Sequence, residues 1–498
     1  MSAPPNPFRP PADAWSRRDF MRNSFGAVAL VCTIGAPGTI GGRKLQTSAG
    51  RRALAQSAFA PFRRDLPIMP EASPVATANG VRVFDLDIRE GLAEILPGMQ
   101  TPIYGYDGIY PGPTIRARKG EAAIVRARNG LTFDSNIHLH GGYVPAKSDG
   151  HPMDVIAPGG SFDYAYPNEQ DAAPLWYHDH AHGRTARTLY YGLVGCYLLE
   201  DAREGLDLPR GEHDVPIVLA DHAFNRDGSL RYVENVDVGF LGDTILVNGA
   251  VAPRMRVQRR LYRFRFVNAS NSRIYDLRLG RGRPMVQVGS DGGLLERALR
   301  RSSVVIHPAE RIDLLIDFRQ FKAGSQIALL NAGAEQPSTR AVMRFDVERG
   351  GGAEEARIPS GRMRTLEPLP KPNASRRWSL SLSTGTTGVQ WQMASRGFDP
   401  YRVDVRPRLG TSELWQWHNP SNRSHPMHLH GMLFRILERS TGVVPPHERG
   451  WKDTVGVAPG ETVSVQPWFV PYTGRYVFHC HNLEHGDKAM MLQLEVIR

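Results

Sequence analysis

Three asparagines, Asn129, Asn268 and Asn419, close short alternating segments and stand 139 and 151 residues apart. A second landmark follows each of them: the prolines of Pro158-Gly159, Pro308-Ala309 and Pro459-Gly460. A unit recurring at this interval is long enough to be a domain of roughly 100–200 residues with its own core, so the chain reads as three copies of one domain. The segments before the asparagines, such as Ala122–Arg128, Tyr262–Val267 and Glu413–Trp417, alternate polar and apolar residues and run into Asn, Gly, Pro or Ser. That is the period of strands and turns, and no long 3.6-residue rhythm competes with it. The expected fold is therefore all-β, with repeats over 66–204, 213–349 and 376–498 and a Gly-, Pro- and charge-rich linker over 350–375.

Composition excludes several other classes. With 41% apolar and 22% charged residues and no run of eighteen apolar positions, the chain is neither disordered nor collagen-like and has no integral membrane segment. Three cysteines, at 32, 196 and 480, make no disulfide framework. The net charge of +11 would suggest a polyanionic partner, but residues 1–65 hold ten basic and three acidic residues, leaving about +4 for the rest. Nucleic acid is not an expected partner. Within that basic start, Ser16-Arg17-Arg18-Asp19-Phe20-Met21 precedes the apolar stretch Phe25–Ile34 and resembles a twin-arginine export signal. Residues 1–65 are accordingly expected to be an export signal and flexible N-terminal segment, with the twin-arginine machinery as partner and the periplasm or cell exterior as destination. Cys32 follows Val31 rather than the small residue a lipoprotein signal needs, and the nearest small-x-small triplet, Ala53-Leu54-Ala55, lies far from the apolar stretch.

The histidines follow the repeats. Nine and eleven residues past Asn129 stand His138 and His140, and at the same offsets from Asn419 stand His428 and His430. Twenty and twenty-two past Pro158 come His178 and His180, and past Pro459 His479 and His481. The middle copy has Leu277, Leu279, Ala328 and Leu330 at these offsets. On a strand, residues i and i+2 project from one face, so each His-x-His pair presents two imidazoles to one side. Imidazole suits zinc, copper, iron and nickel, so the pairs alone name no metal.

The third copy is more specific. In His479-Cys480-His481 the cysteine points away from its neighbours, so one strand can serve two sites on opposite sides. Cys480, His485 and Met490 follow one another at intervals of five, giving thiolate, imidazole and thioether, the donors of a blue-copper centre that lacks a second histidine. His425, an odd three residues before His428, leaves the face of His428 and His430 and is free to join Cys480. A structural zinc site would gain nothing from the distant thioether.

Together with Trp176-Tyr177-His178-Asp179-His180 and His425-Pro-Met-His-Leu-His430, these motifs resemble those of the multicopper oxidases from about residue 70 to the end. The likeness is greatest to bacterial three-domain laccase-like enzymes, the group with bilirubin oxidases, spore-coat laccases and periplasmic cuprous oxidases. The resemblance implies three consecutive cupredoxin-like Greek-key β-sandwich domains and four copper ions. It assigns His425, Cys480, His485 and axial Met490 to a type 1 copper and His138 and His428 to a type 2 copper. It assigns His140, His178, His180, His430, His479 and His481 to two type 3 coppers. Domains one and three must then touch. The implied reaction oxidises a small reducing substrate one electron at a time at the type 1 copper and reduces O2 to water at the trinuclear cluster. Met490 suggests a moderate potential and an easily oxidised donor.

Asp149, in Ser148-Asp149-Gly150, matches an acid that related enzymes place beside the cluster, where it can pass protons; it also reads as a plain turn aspartate before glycine. Many bacterial relatives have Glu directly after the second type 1 histidine, where this chain has Gly486 followed by Asp487. His182 continues the spacing of His178 and His180 and is expected beside the metal site rather than in it. The cuprous oxidases carry a methionine-rich insertion, whereas 350–400 here holds only Met363 and Met393, which favours phenols, aromatic amines or tetrapyrroles over Cu(I). Met427 and Met432 are expected in the core. A copper-free structural protein of the division site, of the same fold, is the remaining alternative, and the complete ligand set argues against it. The oligomeric state expected is a monomer.

Overall fold

The computed structural model describes residues 60–498, apart from 79, 202–204, 351–355 and 386–387. The twin-arginine motif, Cys32 and the Ala53–Ala55 triplet lie outside the described residues. Each repeat is a cupredoxin-like sandwich of two sheets, and each is wound the same way. Its first long strand lies parallel to the strand that ends at the landmark asparagine: Val81–Ala93 beside Ala123–Asn129, Asp214–His222 beside Leu261–Asn268, and Ser375–Gly385 beside Leu414–His418. A parallel pair cannot be joined by a hairpin, so the chain crosses to the opposite sheet between the two strands. The asparagine strand then pairs antiparallel with the strand after the proline landmark.

The structure explains why asparagine recurs. Asn129 Nδ2 donates to the carbonyls of Phe133 and Ile156, Asn268 Nδ2 to those of Arg273 and Ile306, and Asn419 Nδ2 to those of Arg423 and Val457. In each case Oδ1 accepts the main-chain N–H two residues on. One amide thus closes its own turn and ties it to the loop of the other landmark, satisfying buried backbone groups that no sheet reaches.

Each sandwich has its own apolar core, centred on residues such as Phe84, Val125 and Tyr197, then Phe264, Leu314 and Phe345, then Trp415, Val465 and Phe478. Leu277 and Leu279 belong to the middle core. Their partners differ from the landmark count. In the first domain His138 pairs with His178 and in the third His428 with His479, but in the middle Leu277 pairs with Asn331, three positions beyond Ala328, in a strand whose pairing slips at Leu329 and Leu330.

In the alternating strand Leu261–Asn268 the polar face is not open to water: Arg263 and Arg265 are buried in ion pairs with Asp313 and Asp214. Asp214 also pairs with Arg116 of the first domain, so this face is a seam between domains. Residues 62–65, expected in the flexible N-terminal segment, and Leu66, expected in the first domain, join the middle one: Phe62 N–H donates to Ala252 O and Leu66 N–H to Arg254 O. Their hydrogen bonds extend the middle domain. No helix among the described residues is long and apolar enough to cross a membrane.

Candidate metal centres on the two sides of one strand

Strand Gly474–Cys480 lies between His425–Leu429 and Met491–Val496. Cys480 faces the interior of the third domain, in the core that also holds Met490 and Trp391. Its Sγ lies 3.5 Å from Nδ1 of His425 and 3.7 Å from Nδ1 of His485, and the two nitrogens are 3.3 Å apart. Three donor atoms therefore face one point. Burial lowers His425 to about 3 and holds His485 well below the usual histidine range, so both rings are neutral and offer lone pairs. Burial also raises the Cys480 thiol, and a bound cation would be needed to favour the thiolate. Sγ accepts from Asn482 N–H at 3.4 Å, the kind of contact that tunes a copper–thiolate centre. Met490 N–H donates to His485 O, and its carbonyl accepts from Cys480 N–H, which fixes the thioether's chain beside the set.

On the other face the remaining eight histidines meet. His138, His140, His178 and His180 come from the first domain, and His428, His430, His479 and His481 from the third. All eight are buried. The rings of His138 and His430 stack at 3.7 Å, as do those of His140 and His428. Nε2 of His479 lies 3.0 Å from Nε2 of His180 and 3.1 Å from that of His430. The opposite nitrogens are held by protein: Nδ1 of His138, His178, His428 and His479 bonds to the main-chain oxygens of Asp149, Asp179, Asp453 and Cys480. This leaves Nε2 of His138, His178 and His428, Nδ1 of His140 and His180, and both nitrogens of His481 buried without a protein partner. Buried polar atoms normally find partners, so this convergence of unpaired imidazole nitrogens fits a set of metal ions and has no purpose in a plain core.

Asp149 ends a short 3-10 turn, Ala146–Ser148, with Gly150 in the left-handed region at φ 73°. The turn reading and the site reading meet here, because that turn delivers Oδ2 to Nδ1 of His430 at 2.8 Å while Oδ1 stays buried and unpartnered. Gly486 lies in the helix Leu483–Lys488 without a positive φ. What selects glycine there is a close approach: a Cβ would come within 2.9 Å of the Cys480 carbonyl oxygen. Asp487 accepts the N–H groups of Thr185 and Ala186, and burial pushes it up to about 7. It lines a small cleft with His180, His182, His479 and Gly486. His182 packs against Phe398 and belongs to none of the converging donor groups.

Sequence reasoning missed the residues that hold these ligands. Asp453 Oδ1 accepts from Nε2 of His140 at 3.0 Å. Asp237, on the middle-domain loop 223–243, offers its carbonyl to Nε2 of His485 and to Nε1 of Trp391, both at 3.3 Å. Trp391 packs against the rings of His425 and His485 at 4.5 and 5.0 Å and walls the cysteine set. None of the three stands at a repeat offset, so spacing carried no signal for them.

Three cupredoxin-like sandwiches with a cysteine set and a histidine cluster define a copper oxidoreductase. The family profile described as multicopper oxidase matches residues 87–204 and 374–498. A laccase of Bacillus stratosphericus is 36% identical over 506 residues, covering 88% of this chain and 99% of that protein. A bilirubin oxidase of Albifimbria verrucaria is 35% identical over 467 residues, covering 86% of this chain and 80% of that protein. The crystal structure of a laccase from Pediococcus acidilactici superposes with a TM-score of 0.80 at 30% identity, covering 88% of this chain and 96% of that one. The chain belongs to the multicopper oxidases, in their bacterial three-domain, laccase-like group.

Proposed function

We propose that this oxidase takes electrons singly from phenols, aromatic amines or tetrapyrroles at the Cys480 set and reduces dioxygen to water at the histidine cluster. It would hold four coppers, with the ligands that the sequence motifs assign. The observation that carries this reading is the single strand whose Cys480 faces one donor set while His479 and His481 face the other. Copper, when bound, supplies one-electron redox change at the first set and the four-electron reduction of O2 at the second.

The chain's own residues do the rest. Nε2–H of His485 bonds to the Asp237 carbonyl of the middle-domain loop, and Trp391, bonded to the same carbonyl, packs over the rings of His425 and His485. The main chain joins Cys480 directly to His479 and His481, the shortest covalent link between the sets. Asp149 holds Nδ1–H of His430 through Oδ2 and has Oδ1 free to carry a proton beside the cluster.

An organic donor is the better reading because the methionines of 350–400 and of the third domain offer no collecting surface for Cu(I): Met393, Met427, Met432, Met490 and Met491 are buried and Met363 is partly buried, while Met153, exposed, stands in the first domain. A steady-state comparison of Cu(I), a methoxyphenol and bilirubin on copper-loaded protein tests this, and a higher kcat/KM for Cu(I) than for both organic donors would refute it. The sequence motif at 16–21 supports export by the twin-arginine route to the periplasm or cell exterior, with 66–204, 213–349 and 376–498 as domains of a monomer. Replacing Arg17 and Arg18 by Lys should leave the protein inside the cell.

A further inference from the structure

The middle domain supplies no donor to the histidine cluster, yet it reaches it with a buried guanidinium. Arg311 opens strand Arg311–Asp317 and faces the carboxylate of Asp453, with Nη1 donating to Oδ1 at 2.7 Å and Nη2 donating to Oδ2. Oδ1 also accepts from Nε2–H of His140 at 3.0 Å and from the Thr454 hydroxyl at 2.8 Å. Arg311 is itself fixed from two domains: Nε donates to Pro174 O of the first domain at 3.1 Å, and its main-chain N–H donates to Asp291 Oδ1 at 2.8 Å.

His140 differs from its neighbours in the cluster. His138, His178, His428, His430 and His479 are all bonded to an oxygen through Nδ1, four of them to main-chain carbonyls. His140 is bonded through Nε2 instead, and to a side chain, which leaves Nδ1 facing the cluster. A main-chain carbonyl is fixed by the strand that carries it; a carboxylate has rotatable bonds and needs something to aim it. The glycine after His140 records how closely the ion pair lies over this backbone. At Gly141, with φ 82°, a Cβ would fall 2.5 Å from Arg311 Nη2 and 2.7 Å from Asp453 Oδ2.

We propose that Arg311 is a positioning residue of the histidine cluster: by engaging both oxygens of Asp453 it aims Oδ1 at Nε2 of His140 and fixes the tautomer that presents Nδ1 to copper. The proposal rests on the reading of His140 as a copper ligand. In a neutral imidazole, the hydrogen bond at one nitrogen decides which nitrogen keeps its lone pair, and loss of such an outer partner typically costs about 10–100-fold in metal affinity or activity. Lys in place of Arg keeps the charge but cannot grip both oxygens at once.

The test uses full-length, copper-loaded protein and the variants Arg311→Lys and Arg263→Lys, the latter weakening the buried pair with Asp313 in the same domain. Copper per chain is measured after dialysis against a graded chelator series, alongside absorbance of the blue band and melting of the copper-free protein. The expected result is that Arg311→Lys keeps its blue band but loses the cluster coppers at chelator concentrations about 10–100-fold lower than wild type, while Arg263→Lys, with a comparable melting shift, loses them at wild-type concentrations. Cluster copper as resistant as in wild type would overturn the proposal. So would a loss that merely follows the melting temperature in both variants. A wild-type chain that takes up copper at the Cys480 set alone would instead overturn the reading of the cluster itself.

Discussion

The cysteine set and the histidine cluster meet at three consecutive residues, yet they are built differently. His425, Cys480, His485 and Met490 come from one domain, and Cys480 and Met490 share its apolar core. The cluster takes half of its histidines from the first domain and half from the third, and protein oxygens on both domains hold their outer nitrogens. A set packed inside one core takes every donor from that core, and the middle domain only edges it through the Asp237 carbonyl. A cluster divided between domains exists only while their seam is closed, and it needs polar partners on either side to keep each ring turned correctly. The two sites should therefore be separable by mutation.

The largest effect is expected from Cys480→Ser. It should abolish oxidase activity and the thiolate-to-copper absorption near roughly 600 nm that belongs to this ligand set, with three coppers still present by elemental analysis. Loss of all copper would show that the sites are not independent.

Asp149→Asn should break the comparison the other way. Reoxidation by O2 should slow by about 10²-fold or more, the scale of a positioned acid, while anaerobic reduction of the blue centre by substrate stays fast. Stopped-flow reduction followed by mixing with oxygen separates the steps. Equal slowing of both would make Asp149 a structural residue.

Gly486→Glu, which would restore the acid of related enzymes, is expected to recover none of that rate, because its Cβ would press on the Cys480 carbonyl. Overpacking of this kind costs about 1–3 kcal/mol, so a lowered Tm with a displaced blue band is the expected outcome. Recovery of rate at wild-type Tm would contradict it.

The smallest effect should follow Arg423→Ala. The ion pair of Arg423 with Asp237 is partly exposed at 2.8 Å, and such pairs contribute about 0–1 kcal/mol. Removing the cation beside the cysteine set should weaken KM for carboxylated phenols several-fold and leave reoxidation untouched. Identical KM values for anionic and neutral donors would exclude a role for this pair in substrate choice.

The ligands were legible because a strand repeats every two residues and the domain repeats three times, so a histidine at a fixed offset from Asn129 or Asn419 must occupy the same place in each sandwich. The offset failed in the middle copy, where Asn331 rather than Ala328 stands opposite Leu277. Asp453 and Arg311, 142 positions apart, and Asp237 and His485, 248 apart, are joined only by the way the domains pack. Local pattern carries no trace of such contacts. Asp149 fell between: its turn was readable, but the direction of its carboxylate was not.

The loop 223–243 gives the Cys480 side of the molecule a further property. Besides Asp237, it offers Val238 O to Asn482, Glu234 to Lys488 and the Tyr232 hydroxyl to Glu484. It thus edges the cysteine set from a domain that contributes none of its donors. On the proposed function, an organic donor docking at this edge would meet residues from a different stretch of the chain than the copper ligands. Loops grafted between Asp214–His222 and Thr244–Val247 would then vary the substrate range in a laboratory lineage without rewriting a single copper ligand.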